Sequence, residues 1–482
     1  MILGFREEAP DPDLIDAIGR EEVAGLLWFR SALGETVAEA KARMARVRAL
    51  WRKGSALFIC DEEGGLIQQL SGLIDEEGRP WPRLPSPRAL GLAADSRIAF
   101  AHGREIGRRM RILGLDATLA PTVDLDPGLE SPVLGTRCFG DDPIPVTEMA
   151  LAWLRGLASA GVRGCVKHYP GHGATRVDSH HTLPRIPAST DFRMHLAPYE
   201  RIGRLWNDAE GAPPAVLTAH IMADGWGSAL PASLDPERIA GIPSGLGPVF
   251  TDSLDMGALR PFGDLLARGD LAVRAGSDWI VVGIDRVGGL ALARALSPEL
   301  RRATSHRAAA WLRPRPLPPI PEPWSTEDLL IAAGRGLRLL VDRPIPLGEW
   351  DWVLPSGFGA YGVVAAPPCE GDGLRHIARV IRYDGGDPSS LAAALIGRGR
   401  PVLVGWAHRG PPDRATLEVL RGNPPAAIAH LLDEPGDRAP IESWTILTCG
   451  FGEGEIVALE RFWKAHSAPG LASGLPHSGF AD

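Results

Sequence analysis

The segment "GCVKHYPGHGATRVDSHH" (residues 164–181) combines a short apolar run with a histidine-rich loop. The run "GCVK" is typical of a buried β-strand, and ionisable residues follow at the point where that strand would end. Pro170 and Gly171 come next, and they disfavour the continuation of any regular element. A buried strand that ends in ionisable residues is typical of parallel α/β folds, whose sites lie at the carboxyl ends of the strands.

Similar apolar runs recur along the first 310 residues, separated by longer stretches that suit helices. The runs cover residues 24–29, 56–60, 117–125, 164–167, 215–220, 248–252 and 279–283. Ionisable residues stand at the ends of most of them, namely Asp61, Asp124, Lys167, His168, His220 and Asp252. The alternation predicts parallel βα units in an α/β fold, and the strand ends favour a TIM-like (β/α)8 barrel. A doubly wound sheet, which also binds ligands at these ends, remains the alternative.

A proline-rich segment divides the chain. Residues 313–323, "RPRPLPPIPEP", contain six prolines in eleven positions and favour an extended linker. We expect a barrel domain over residues 1–312, a linker over 313–324 and an α/β sandwich domain over 325–482. Predicted strands of the second domain cover 336–341, 352–355, 362–366, 401–407 and 444–450, with helices near 389–397 and 454–466.

The composition excludes several classes of protein. Hydrophobic residues make up 45% and charged residues 23% of the chain, which is ordinary for a globular protein. The net charge of −8 lacks the basic excess of a nucleic-acid-binding protein. Residues 1–22 are acidic where a signal peptide is basic and apolar, and no long apolar run follows. We expect a cytoplasmic protein with reduced cysteines and with no nucleic-acid or membrane partner; a homodimer is left open.

His168 and His172 stand four residues apart, a spacing that serves zinc when both histidines lie on a helix. Pro170 and Gly171 lie between them, and the glutamate of a helical zinc motif is missing. We therefore predict neither a metal nor another cofactor here. A solvent-exposed histidine-rich loop remains the alternative.

Asp178 and His180 form a candidate proton-transfer pair. The carboxylate of Asp178 could accept the imidazole Nδ1 proton and leave Nε2 of His180 to exchange protons with a substrate. Asp252, after another apolar run, is either the N-cap of a following helix or a nucleophile that attacks an anomeric carbon. Asp255 is predicted to be a first-turn charge on that helix.

These segments resemble the family-three glycoside hydrolases, in particular NagZ-like beta-N-acetylglucosaminidases. The resemblance rests on "GLLWF" (25–29) as the first strand, "DEEGGLIQQL" (61–70), "GTRCFGDD" (135–142), "KHYPGHGATRVDSHHTLP" (167–184), "FTDSLDMGAL" (250–259) and "AVRAGSDWIVVG" (272–283). It implies Asp252 as nucleophile, His180 as acid/base and Asp178 as the residue that orients His180. The sugar-binding positions that it implies are Asp61, Gln69, Arg137, Lys167 and His168.

The resemblance implies a carbohydrate substrate and an exo-acting, retaining hydrolase. Such an enzyme releases beta-linked N-acetylglucosamine from cell-wall peptidoglycan fragments. Two departures affect the specificity: Gln69 stands where the family commonly has arginine, and Ser253 where a second aspartate is common. A phosphorylase with the same Asp–His pair, a beta-glucosidase-type enzyme and a non-catalytic carbohydrate-binding protein remain alternatives.

Overall fold

The computed structural model has a mixed α/β fold, as the sequence predicts. It describes residues 1–51, 56–126, 133–175, 177–207, 211–296, 306–313 and 316–324, and beyond them separate strands and helical segments between 338 and 447. Helices separate most of the parallel strands of the first part, so the chain can return along the outside of a sheet between one such strand and the next.

The strands of the first part are short and mostly buried. In chain order they are β1 (Ile2–Phe5), β2 (Gly25–Trp28), β3 (Leu57–Cys60), β4 (Glu62–Gly64), β5 (Ile67–Gln68), β6 (Ala117–Thr118), β7 (Cys165–Tyr169), β8 (Arg185–Ile186), β9 (Ala215–Thr218), β10 (Met222–Ala223), β11 (Val249–Thr251) and β12 (Val281–Val282). The predicted strand over 117–125 is regular only at its first two residues.

Most of the helices begin with a side chain that caps the free backbone N–H groups; Asp142, for example, accepts a hydrogen bond from the N–H of Ile144. They are α1 (Pro12–Gly19), α2 (Arg30–Leu33), α3 (Val37–Arg48), α4 (Pro87–Ala93), α5 (Ser96–Leu113), α6 (Pro143–Ser159), α7 (Phe192–Leu205), α8 (Pro236–Ala240), α9 (Leu265–Ala275), α10 (Arg286–Ala295) and α11 (His306–Trp311).

The long strand pairings of the first part are parallel. One sheet has the order β12-β1-β2-β3-β6, and a second sheet has the order β11-β9-β7. Isolated parallel bridges join the two sheets at both edges, through Ala117 with Arg163, Thr122 with Lys167 and Phe250 with Trp279. Because the pairings and bridges are parallel, the carboxyl ends of these strands lie on one side of the framework.

The first strand corrects the sequence analysis. The resemblance places "GLLWF" as the first strand, but this segment forms β2, and β1 precedes it with the sequence "ILGF". All four residues of β1 are buried, between Val281–Val282 on one side and Gly25–Trp28 on the other. The apolar pattern does not reveal β1 because Gly4 interrupts the strand and leaves only Ile2 and Leu3 as continuous apolar residues within it.

The strand side chains divide between two hydrophobic clusters. One cluster takes residues from every strand of the two parallel sheets or from its immediate extension: Ile2, Leu27, Leu57, Ile59, Ala117, Leu119, Cys165, Ala215, Leu217, Phe250 and Val281. Alternate residues such as Leu3, Leu26 and Phe58 belong to the other cluster, together with the helices. This alternation follows from the two-residue period of a strand and gives the framework two buried faces.

Helices α5 and α6 pack closely through a reciprocal pair of glycines. A Cβ atom on Gly103 would lie 2.0 Å from the carbonyl oxygen of Trp153, and one on Gly156 would lie 1.9 Å from that of Phe100. Both distances are far below van der Waals contact, so each helix needs a residue without a side chain where the other crosses it.

The proline-rich segment contains no helix or strand in its described residues, 313 and 316–324. It lies against α5, where the backbone N–H of Trp324 donates to Glu105 Oε2 over 3.1 Å. The Arg111 guanidinium on the same helix donates to the carbonyl oxygen of Pro318 over 3.4 Å. These two hydrogen bonds attach the described part of the segment to α5.

Beyond the proline-rich segment the structure describes a second set of strands and one more helix. They are β13 (Arg338–Val341), β14 (Trp350–Pro355), β15 (Ala360–Tyr361), β16 (Val364–Ala365), β17 (Ile377–Tyr383), α12 (Pro388–Leu395), β18 (Val402–Trp406), β19 (Ala427–His430) and β20 (Trp444–Leu447). Six of the strands form one sheet in the order β13-β20-β19-β18-β14-β17, with only the β13–β20 pair antiparallel. The apolar runs of the sequence predict neither β17 nor β19. The helix expected over 454–466 lies outside the described residues.

Among the helices that the structure describes, none combines the length and the apolar character needed to span a bilayer.

The contact between α5 and α6 can be tested with Gly103→Ala. In an exposed helix this change stabilises by up to about 1 kcal/mol, but here the added methyl group meets the Trp153 carbonyl. We expect the free energy of unfolding, measured by urea denaturation, to fall by about 1–3 kcal/mol. Gly19→Ala in α1 is the control, because nothing lies within 4 Å of its added Cβ. Equal effects of the two changes would contradict the close packing.

Candidate active site

A cavity of about 150 Å³ lies where the parallel strands of the first part end. Residues at or just after the carboxyl ends of six of these strands line the cavity. They are Arg6 after β1, Phe29 after β2, Asp61 after β3, Lys167 and His168 in β7, Asp252 after β11 and Gly283 after β12. The predicted site residues that line it are Asp61, Arg137, Lys167, His168, His180 and Asp252. We call it the site cavity.

Buried charges form one wall of the site cavity. The ammonium group of Lys167 lies 2.8 Å from Asp61 Oδ1 and also contacts Glu63. Arg137 donates two hydrogen bonds to Glu63, from Nε over 2.9 Å and from Nη2 over 2.8 Å. The fork of the guanidinium matches the carboxylate, so the two cations are held in fixed positions.

Glu63 is fully buried, and the sequence analysis does not predict it as a site residue. Burial alone would raise the pKa of its carboxyl group, but Arg137 and Lys167 lower that pKa to about 2. Glu63 is therefore ionised at neutral pH and compensates the two cations. The sequence does contain a signal: Asp61 and Glu63 are two residues apart beside a strand, a spacing that puts both carboxylates on one side.

His168 is oriented by a second buried carboxylate. Its Nδ1 lies 2.7 Å from Asp124 Oδ2, and Asp124 also accepts the backbone N–H groups of His168 and His172. Burial would raise the pKa of Asp124, but His168, the hydrogen bond from its ring and His172 lower it. Asp124 accepts a hydrogen bond from Nδ1 of His168. The other ring nitrogen, Nε2, therefore faces Arg137 and lies 3.5 Å from its Nη2.

The hydrogen bond predicted between Asp178 and His180 is present. Asp178 Oδ1 accepts from Nδ1 of His180 over 2.7 Å and from its backbone N–H over 2.8 Å. Burial would raise the pKa of Asp178, but the hydrogen bonds from His180 outweigh burial and lower it. The side chains of Asp178 and His180 remain 34% and 44% exposed, respectively, so this pair lies at the open side of the cavity.

The loop that carries this pair is attached to the chain after β11. The backbone N–H of Gly257 donates to the carbonyl oxygen of His180 over 2.9 Å, and that of Ala258 donates to the carbonyl oxygen of Ser179 over 3.2 Å. These contacts bring the segment after β7 next to the segment after β11, so His180 and Asp252 share one cavity.

Asp252 is the carboxylate at the end of β11. Its Oδ1 accepts the backbone N–H of Ser253 over 2.7 Å. Burial would raise its pKa, but His220, His168 and His180 lower it, which favours the ionised form. No α-helix starts directly after Asp252. The next element is the 3-10 helix Gly257–Phe262, whose N-cap position is Met256. The N-cap alternative for Asp252 is therefore wrong.

Asp255 is also placed differently from the prediction. Instead of a helical first turn, it accepts the backbone N–H groups of Ile284 over 2.7 Å and Asp285 over 2.6 Å. Its other oxygen accepts the hydroxyl of Ser253, which in turn accepts the N–H of Gly283. Asp255 thus ties the turn of Asp252 to the loop after β12.

Gln69 does not line the site cavity, contrary to the predicted sugar-binding role. It is 3% exposed, and its side-chain oxygen accepts the backbone N–H of Arg30 over 2.8 Å. Its own backbone N–H donates to Glu62 over 2.6 Å. The β4–β5 hairpin presents Ile67 to the cavity instead, while Gln69, directly after β5, is held in the protein interior by its bonds to Arg30 and Glu62.

Among the described residues no group of three or more histidine, cysteine, aspartate or glutamate side chains is arranged to hold a metal ion. His168 and His172 do not form a helical pair, since β7 ends between them at Tyr169.

Comparison with known proteins connects this geometry to a family. The model of the glycosyl hydrolase family 3 N-terminal domain matches residues 7–297. A beta-hexosaminidase of Bordetella pertussis is 35% identical over 244 residues, which are 48% of this chain and 65% of that protein. A beta-hexosaminidase of Mycobacterium tuberculosis is 35% identical over 203 residues, 40% of this chain and 49% of its own length. The chain therefore matches less than two thirds of either relative.

Solved structures agree with the fold. A family 3 beta-N-acetylglucosaminidase from Paenibacillus has a TM-score of 0.74 at 22% identity, over 97% of this chain and 95% of that one. A family 3 member from Mycobacterium smegmatis has a TM-score of 0.54 at 28% identity, over 66% of this chain and 95% of the other. Since the family model covers more than half of the residues, the chain belongs to glycosyl hydrolase family 3.

Proposed function

We propose that this chain is a retaining, exo-acting beta-N-acetylglucosaminidase that releases the terminal sugar from cell-wall peptidoglycan fragments or related glycosides. The observation that carries the proposal is the convergence of an aspartate, Asp252, and an aspartate-supported histidine, His180, on one cavity. The relatives named beta-hexosaminidase support the choice of sugar.

The proposal takes the first part of the chain as a closed (β/α)8 barrel. Three observations support closure: eight strands are paired in parallel, isolated bridges connect both edges, and one inner cluster draws on all eight strands. A closed barrel would surround the site cavity with loops from several strands, as in other enzymes of this architecture.

In the first chemical step Asp252 attacks the anomeric carbon of the bound sugar. The bond between that carbon and the leaving oxygen breaks, and His180 donates its Nε2 proton to this oxygen. Asp178 accepts the Nδ1 proton in a hydrogen bond and supports the correct tautomer and orientation of the ring. The product of this step is a covalent ester between the sugar and Asp252.

In the second step His180 removes a proton from a water molecule, which attacks the same carbon and displaces Asp252. Two successive inversions at the anomeric carbon give net retention. Histidine suits both steps because an imidazole can donate and accept a proton near neutral pH.

Sugar binding is assigned to Asp61, Arg137, Lys167 and His168. Their polar heads line the site cavity and are fixed by Glu63 and Asp124, so they need little rearrangement to bond to hydroxyl groups. The cavity of about 150 Å³ is smaller than the ~300–1,000 Å³ of typical ligand pockets. This size suits one terminal sugar and supports an exo-acting enzyme.

The role of His180 as acid can be tested with leaving groups of different basicity. In His180→Ala we expect kcat/KM for an alkyl or phenyl N-acetylglucosaminide to fall about 10²–10⁴-fold, because a poor leaving group needs a proton. For a dinitrophenyl substrate, whose leaving group needs little protonation, the rate of glycosidic bond cleavage should fall far less. His181→Ala is the control, since the neighbouring side chain is exposed and does not line the cavity. Equal losses on both substrates would refute the acid role.

The role of Asp252 as nucleophile predicts a different pattern. Asp252→Asn should lose at least about 10³-fold in rate on every leaving group, because the amide cannot form the glycosyl ester. Mass spectrometry of the quenched unsubstituted enzyme with an activated substrate should detect the covalent sugar, and the variant should not form it. Asp264→Asn, a change at the N-cap of α9 that preserves capping, should leave both results unaltered. A covalent sugar on the Asp252→Asn variant would exclude this assignment.

A phosphorylase is the second candidate, and Arg6 on the cavity wall favours it. A neutral histidine also repels an incoming phosphate less than a carboxylate would. The two activities differ in the group that attacks the glycosyl-enzyme.

Turnover of an aryl N-acetylglucosaminide with and without phosphate separates the two. Hydrolysis predicts free N-acetylglucosamine and a rate that phosphate does not raise. A phosphate-dependent rate with a sugar 1-phosphate product would replace hydrolysis by phosphorolysis. An aryl glucoside in the same panel tests the beta-glucosidase alternative, which requires a higher kcat/KM on the glucoside.

A further inference from the structure

His172 is a buried residue of the histidine-rich loop to which the mechanism above gives no task. It is 1% exposed and lies on the wall of the site cavity. Its ring stands 5.8 Å from the ring of His168, centre to centre. Burial first, and His168 second, lower the pKa of His172 to about 4, so the ring is neutral near pH 7.

Both ring nitrogens of His172 meet hydroxyl groups. Nδ1 lies 2.7 Å from Thr175 Oγ1, which donates its own proton to the carbonyl oxygen of His172 over 2.8 Å. Nδ1 therefore carries the ring proton and donates it to Thr175. Nε2 is left as an acceptor, and Ser179 Oγ lies 3.2 Å from it. One neutral tautomer thus satisfies both hydroxyls.

The backbone of His172 is attached to the sugar-binding wall. Its N–H donates to Asp124 Oδ1 over 2.7 Å, and the other oxygen of Asp124 holds His168. His172 therefore contacts Asp124, the carboxylate that orients His168. It also contacts Ser179, which directly precedes His180. Among the described residues it connects these two parts of the site by direct hydrogen bonds.

We propose that His172 is a positioning residue that holds the loop of His180 in register with the sugar-binding wall, through its hydrogen bond to Ser179. The inference rests on the proposed function, since it gives His180 the proton transfer. His172 makes no bond to reacting atoms in this scheme; it acts through Ser179.

The exposure of the loop explains why such an anchor matters. Asp178 and His180 are partly exposed and gain little from packing, whereas Ser179 between them is 2% exposed. The bond from Ser179 to His172 is thus a buried attachment in an otherwise open segment, beside the two backbone bonds from Gly257 and Ala258. A displacement of about 1 Å at a catalytic group can cost about 100-fold in rate.

The test compares two replacements of His172 that each keep one nitrogen position. Glutamine places its amide group near Nε2 and can keep the contact with Ser179, whereas asparagine reaches only the position of Nδ1. We expect His172→Asn to lower kcat for a phenyl N-acetylglucosaminide about 10–100-fold, with a much smaller loss on a dinitrophenyl substrate and little change in KM. His172→Gln should recover most of the lost rate.

His102 provides a matched control for buried histidines. It is fully buried, its pKa is also lowered to about 4 by burial, and it bonds to Pro85 and Trp153 away from the cavity. His102→Asn should lower the melting temperature, as His172→Asn also can, but any loss of rate should be equal on the two substrates. A leaving-group dependence in His172→Asn that is no greater than in the control would overturn the proposal.

Ser179→Ala removes the hydroxyl group that bonds to His172 and so breaks the same hydrogen bond. It tests the proposal if His172→Asn does not fold. It should reproduce the leaving-group pattern, and combining it with His172→Asn should add little further loss. Hydrogen exchange gives a readout that needs no activity. The amide protons of Gly257 and Ala258, which bond to the loop, should exchange faster in Ser179→Ala than in the parent protein.

These experiments distinguish failure of the proposed function from failure of the positioning role of His172. If His180→Ala shows no leaving-group dependence, the proposed function fails, whatever the His172 variants do. If His180→Ala behaves as expected but His172→Asn and Ser179→Ala keep the parent rates and exchange, only the positioning role fails.

Discussion

The pairing of one buried carboxylate with two cations is the interaction on which the site depends. Glu63 is fully buried and is bonded to both Arg137 and Lys167. Without it, two cations would remain in a buried wall with incomplete compensation, which costs several kcal/mol. Because the charges balance within the protein, the donors of Arg137 and Lys167 keep one geometry before any ligand arrives. The wall that we propose to bind the sugar is therefore preorganised by electrostatics.

The opposite side of the cavity is built on another principle. Asp178 and His180 are partly exposed, and the loop that carries them is held by hydrogen bonds more than by packing. A general acid has to act on two different oxygens in the two halves of the proposed reaction. A firmly paired wall with an acid/base at the open side suits that requirement in the proposed reaction, since the leaving group departs and water enters there while hydrogen bonds from Gly257 and Ala258 hold the loop.

Much of this arrangement is predictable from the sequence, because it depends on short-range patterns. The apolar runs locate most of the parallel strands, and the two-residue spacing of Asp178 and His180 predicts their hydrogen bond. The misses depend on tertiary pairing. Gln69 faces inward because it bonds to the backbone of Arg30, 39 residues earlier, and Asp255 bonds to a loop 29 residues later. Propensity and spacing do not report such contacts.

The position of β1 has a consequence for the order in which the fold can assemble. Ile2–Phe5 pairs on one side with Gly25–Trp28 and on the other with Val281–Val282. During synthesis from the amino terminus, the second pairing cannot form until Val281 and Val282 have emerged. One edge of β1 lacks its partner until then, so the nascent chain carries an open apolar strand edge. Completion of this framework is thus a long-range event that joins residues about 280 positions apart.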